Sequence, residues 1–199
     1  MKVKLSYIII AILLVCCFAL FSAYNTIQSE DESVSASWSE VLSQYQRRAD
    51  LIPNLVNTVK GYTDNEKALL TEITEARAKV GSIQINAEQL SDRALFEQFQ
   101  KAQANLGSAL SRLIAVNENY PDLKSSPLYQ DLMTQLEGTE NRITVARGRY
   151  IDSIRSYNSQ IRKFPAKLIA DYLGLQTKLQ FTVENEKQIS TPPVVNFGQ

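Results

Sequence analysis

Between Leu5 and Ala23 the chain reads LSYIIIAILLVCCFALFSA, without a single charge and broken only by Ser6 and Ser22 among its polar residues. A run of this length covers a hydrocarbon core of about 30 Å as an α-helix, the one single-segment form that satisfies its own backbone in lipid. Whatever follows must therefore hang from a helix. Lys2 and Lys4 precede the run and Glu30, Asp31 and Glu32 follow it, so the positive-inside rule places the N-terminus in the cytoplasm and the body outside it. A cleaved secretory signal would have a shorter apolar core and a small-residue site, of which "SAY" at 22–24 is a poor version. Lipidation at Cys16 or Cys17 is disfavoured, because Val15 precedes Cys16 and Cys16 precedes Cys17, where a lipoprotein signal has a small residue. Both cysteines read as ordinary membrane-embedded side chains. The polar body needs no disulfide, and adjacent cysteines are not a zinc-ligand spacing.

The body is patterned for helices throughout. Trp38, Val41, Leu42, Tyr45, Ala49, Ile52, Val56 and Val59 recur at steps of three and four, which is one helix face held over several turns. Gly61 and the "TDNE" at 63–66 close that helix and open a second, from about Glu66 to Lys79, with Thr63 and Glu66 in the capping-box relation. "GSIQINAEQLSD" carries no stripe and reads as a connection ending in a cap at Ser91 or Asp92. A third helix runs to about Asn119, where "YPDLKSSP" ends it. Ser126 and Pro127 then supply an N-cap and a first-turn proline for the fourth and longest helix, which stops at Phe164 and Pro165. No segment alternates with the period of a half-buried strand.

The expected fold is all-α: an N-terminal transmembrane helix followed by an antiparallel four-helix bundle with a kinked first helix. Its divisions are a cytoplasmic N-terminus at 1–4, a transmembrane anchor at 5–23, the bundle at 24–165, and at 166–199 a short amphipathic segment, "AKLIADYLGL", with a mobile tail. That tail is polar, with an isolated Phe181 and an apolar ending, "TPPVVNFGQ".

Charge and composition exclude several functions. The 21 Lys and Arg residues balance 21 Asp and Glu, so no global field draws the chain to nucleic acid. There is no histidine, which removes the commonest general base and metal ligand together. Asp50, Glu66, Glu137 and Glu140 are spread over three helices, and nothing resembles a phosphate-binding glycine loop, a nucleophile elbow or a zinc-peptidase helix. The reading is no enzyme and no cofactor.

The stretches "EKALLTEITEAR", "ENYPDLK", "LEGTENRITVARGRYIDSIRSYNSQIRKFP" and "PPVVNF", with "YN" at 24–25 just after the span, closely resemble the LemA family over nearly the whole chain. The resemblance implies a bacterial, membrane-associated protein with a small helical bundle, in a family without an established enzymatic activity. It places the chain in the cytoplasmic (inner) membrane, single-pass. Some family members carry a lipidated cysteine directly before the "YN"; Ala23 stands there in this chain, which favours an uncleaved anchor.

Three groups of residues stand out. Pro53 lies inside the first helix, where it removes a hydrogen bond and bends the axis. Glu140 lies on the fourth helix's apolar stripe, so it requires a partner; if the first and fourth helices are antiparallel, Arg48 or Arg47 supplies it, fixing register more than adding stability. Arg142, Arg147, Arg149, Arg155 and Arg162 form a candidate interaction face. The function these features support is a scaffold or adaptor for an envelope partner, anchored to membrane lipid by its N-terminal helix. Two alternatives remain, a membrane-surface or envelope-organising protein whose basic face contacts lipid, and a regulator of a membrane protease. Self-association stays open.

Overall fold

The computed structural model describes residues 5–62 and 65–181, and among these every regular element is helical. Helix α1 (Leu5–Lys60) runs for 56 residues without interruption, about 84 Å at 1.5 Å per residue. The apolar run and the first body helix are thus one continuous helix. α2 (Lys67–Ser82), α3 (Arg93–Val116), the single turn α4 (Pro121–Lys124), α5 (Pro127–Gln160) and the short α6 (Ala166–Leu173) follow.

Successive long helices alternate in direction. Glu72 pairs with Arg112, and Tyr120 donates to Glu66 at 3.0 Å, so α2 and α3 form an antiparallel pair. Arg48 meets Glu140 at 3.1 Å and Arg149 meets Glu40 at 2.6 Å, so α5 runs back along α1. This α1/α5 pair is the most extensive helix contact in the body.

Pro53 is inside α1, and the helix continues through it. A proline cannot donate to the carbonyl four residues before it, and that carbonyl, on Ala49, accepts instead from Arg77 Nε of α2 at 2.8 Å. The proline thereby frees an acceptor that ties α2 to α1. We expect Arg77→Met to lower stability by about 1 kcal/mol, and to lower it by less in a Pro53→Ala background, where the amide of residue 53 satisfies Ala49. A double-mutant cycle read by thermal unfolding checks this; equal losses in both backgrounds would sink the account.

Two hydrophobic clusters divide the body. The distal one joins Ile52, Leu55, Val56 and Val59 of α1 to Leu70 and Ile73 of α2, Leu106 to Leu113 of α3, and Tyr129 to Leu136 of α5. In the other, on the side of the apolar run, α2 is missing. Its place is taken by Ile85, Leu90 and Phe181, which close over Trp38, Phe96, Phe99 and Tyr150. Trp38 Nε1 donates to the Ile85 carbonyl at 3.1 Å, so its one polar atom is satisfied.

Several boundaries differ from the sequence reading. The stripe-free connection holds a 3-10 turn at Ala87–Ser91, opened by a capping box of Asn86 and Gln89. α5 starts on the Ser126 cap as read, but ends at Gln160 rather than Phe164. Thr63 of the expected capping box lies outside the described residues, and the Glu66 side chain makes no cap bond. The reading of everything beyond Gln176 as loose does not describe 176–181. There Lys178 exchanges two hydrogen bonds of 2.9 Å with Asn158, the Leu179 amide donates to the Leu90 carbonyl at 2.9 Å, and Phe181 is buried. Residues 182–199, including "TPPVVNFGQ", lie outside the described residues.

Candidate functional site: a charged layer beneath an open seam

Arg48 stands between the two hydrophobic clusters and is itself buried, at 4% exposure. The apolar positions of α1 step from Tyr45 to Ile52, and Arg48 occupies the intervening inward position. Its Nη1 donates to both Glu140 oxygens, at 3.1 and 3.4 Å. Its Nη2 donates to the Gln103 side-chain oxygen and, at 3.5 Å, to the Gln103 carbonyl. The guanidinium also lies 5.0 Å from the centre of the Tyr45 ring. Arg47 is exposed and Glu140 retains 46% exposure, so the arginine, rather than the carboxylate, is the buried member of the pair.

Above this layer the body is open. α3 and α5 do not pack on each other as α1 packs on α5 and α2 on α3. Three clefts follow one another along their seam. The first, about 680 Å³, lies between Arg93 and Glu97 of α3 and Arg155 and Arg162 of α5. The middle one, about 380 Å³, has Arg48, Gln103 and Glu140 in its lining with Arg147 and Phe181. The third, about 510 Å³, is more apolar, with Leu110 and Ile114 facing Met133 and Leu136. Gln100 is common to the first two, Gly107 and Glu140 to the last two. The middle cleft contains two unpaired buried donors, Arg48 Nε and Gln100 Nε2.

The five arginines of the expected face do not share one side of α5. At 100° per residue, Arg142 and Arg149 fall together, and Arg149 is held by Glu40 while Arg142 donates to Thr139 at 3.2 Å. Arg147, Arg155 and Arg162 turn to the seam, with Arg147 4.4 Å from the Phe181 ring centre. Sequence reasoning missed Gln103 and Phe181. Gln103 was detectable as the polar residue four after Phe99 and three before Leu106 on the α3 stripe; nothing local marks Phe181.

Four tyrosines are held neutral here. Burial pushes up the Tyr45 phenol, against the pull of Arg147 and Arg48 and with a further rise from Glu140. Burial likewise raises Tyr129 and Tyr150, and Tyr157 with the help of Asp31. An acid whose folded pKa exceeds its unfolded value of about 10 favours folding fully below that pH and loses this contribution as pH rises towards the folded value. The thermal midpoint should accordingly fall as pH is raised above about 10; a midpoint that rises there would contradict the burial.

Chemically the layer pairs and positions. A guanidinium stays protonated and cannot serve as a base, and among the described residues no three of His, Cys, Asp and Glu are grouped to hold a metal ion. Fold and site together define a class of protein, a helical body continuous with one apolar helix long and apolar enough to cross a membrane. The chain belongs to the LemA family, whose model matches residues 37–197. It is similar to magnetosome proteins MamQ 1 and MamQ 2 of Paramagnetospirillum magneticum, each 29% identical over 94% of this chain and 74% of the relative. It is also similar to Protein LemA of Metamycoplasma hominis, 25% identical over 79% of this chain and 68% of that one.

Proposed function

We propose that this protein is a non-enzymatic, single-span membrane scaffold whose four long helices act as one antiparallel bundle and offer the α3/α5 seam to a partner protein of the bacterial envelope. The observation that carries the reading is the middle cleft. A buried, permanently charged Arg48 leaves its Nε unpaired there, in a lining that also holds the unpaired amide nitrogen of Gln100 and the guanidinium of Arg147. An unpaired buried donor is costly, and a partner segment bringing carboxylate or carbonyl acceptors removes that cost. The apolar third cleft adds a place for an aliphatic side chain. Supporting an orientation with the body outside the cytoplasm are Lys2 and Lys4 before the span and the acidic Glu30 to Glu32 after it.

The test is photo-crosslinking in intact cells from Ile114, at the seam, with Arg47 on α1 as the control site. The expected result is one envelope protein recovered from Ile114 alone, and lost in Arg48→Met. Adducts to lipid alone, or the same products from both sites, would remove the adaptor reading; a second copy of this chain from Ile114 alone would make the seam a self-association surface.

A further inference from the structure

The α1/α5 register set by Arg48 with Glu140 and by Trp38 with Tyr150 carries Ile161 to the level of Ile27. The chain then turns, and α6 packs on α1. Its Ala166 and Ala170 are buried in the same cluster as Ala23 and Ile27. Ala23 is the last residue of the apolar run, so α6 is docked at the boundary between hydrocarbon and water. On the side of α6 opposite Ala166 and Ala170, Leu168 is 54% and Tyr172 89% exposed, and Phe164, one turn before, is 81% exposed. Large apolar side chains grouped in the open are unusual on a water-facing surface. With the apolar run spanning the bilayer, as proposed above, the neighbouring medium at this level is the membrane interface.

We propose that Phe164, Leu168 and Tyr172 form a second membrane contact, seated in the interface of the leaflet nearest the body, with Arg162 and Lys163 meeting the phosphates of anionic lipid headgroups. The register puts Arg162 beside Thr26, about 4.5 Å along α1 from Ala23 at 1.5 Å per residue, within a headgroup layer about 5–7 Å deep. Arg155 falls beside Ser33, about 15 Å out, beyond a Debye length of about 8 Å. Of the basic residues lining the first cleft, only those at its membrane end therefore take part. An amphipathic helix with aromatic and aliphatic residues on one face and lysines beside it has the composition of an interfacial segment. The seat fixes how the body stands on its anchor, and it rests on the same membrane span as the scaffold reading, though on no partner.

The experiment uses the full chain in lipid nanodiscs, with Cys16 and Cys17 changed to Ser and a single cysteine carrying an environment-sensitive fluorophore. The cysteine is placed at Leu168, at Tyr172, at Val15 within the span, or at Leu128, which is 58% exposed at the far end of α5. Lipids bearing a quencher near the headgroup should quench Leu168 and Tyr172 strongly, lipids quenched near the chain ends should quench Val15, and Leu128 should respond to neither. In discs mixing phosphatidylglycerol with phosphatidylcholine, headgroup-quenched phosphatidylglycerol should be enriched at Tyr172 over the zwitterionic lipid. R162Q and K163Q should each reduce that enrichment by up to about fivefold, and R155Q should leave it unchanged. Probes at Leu168 and Tyr172 that behave like Leu128 while Val15 is quenched would overturn the seat and leave the span standing. An unquenched Val15 would overturn the span and the seat together, and equal effects of R155Q and R162Q would overturn the headgroup assignment.

Discussion

Phe181→Ala should destabilise the full chain by about 3 kcal/mol, although the residue lies in a segment that reads as tail. Removing a buried phenylalanine costs about 3–5 kcal/mol through lost transfer free energy and the cavity left behind; the low end applies because the segment ends a layer and can relax. The ring is 7% exposed and sits 5.3 Å from Phe96, 5.4 Å from Tyr150 and 6.1 Å from Trp38 between centres. At about 2–4 °C per kcal/mol for a chain of this size, the thermal midpoint should drop by roughly 6–12 °C. Trp38 is the only tryptophan, so its emission reports directly on this cluster. Leu128→Ala, at an exposed site at the far end of α5, is the control; a Phe181 variant that melts no lower than the control would show that the cluster closes without it.

The second large effect is expected at Arg48. Arg48→Ala should cost about 2–4 kcal/mol, since it leaves the buried Gln103 oxygen without a donor and opens a cavity between the two clusters. Glu140→Gln should cost less, about 1 kcal/mol, because the amide oxygen can still accept from Arg48 Nη1 and solvent reaches this half-exposed side chain. Breaking a fully buried pair costs similar amounts from either side, so the inequality is the informative result. Equal losses would mean that the carboxylate is more enclosed than its surroundings indicate. Arg48→Met should recover much of the loss, by filling the space with an unbranched apolar chain.

Helix positions were legible because they depend on local signals. The stripe from Trp38 to Val59, the Ser126–Pro127 start and the Gly61 end each act within a few residues. The pairing of Arg48 with Glu140 was legible too, since an antiparallel register converts two sequence positions into one level. What escaped was decided across the fold. Phe181 is buried because α2 is only 16 residues long and leaves a vacant side beside Trp38, a fact no window around Phe181 contains. The partner of Pro53's freed carbonyl, Arg77, is likewise set by how α2 lies on α1. The five arginines of α5 were read as one face because they crowd one stretch of sequence, yet helical rotation sends them two ways.

The continuity of α1 from Leu5 to Lys60 has a mechanical consequence. Transmembrane helices tilt to match the thickness of the bilayer around them, and a hinge after Ala23 would confine that tilt to the lipid. With the apolar run spanning the bilayer as proposed, about 55 Å of the same helix lies beyond Ala23, so a change in its tilt is carried into the body along one continuous helix.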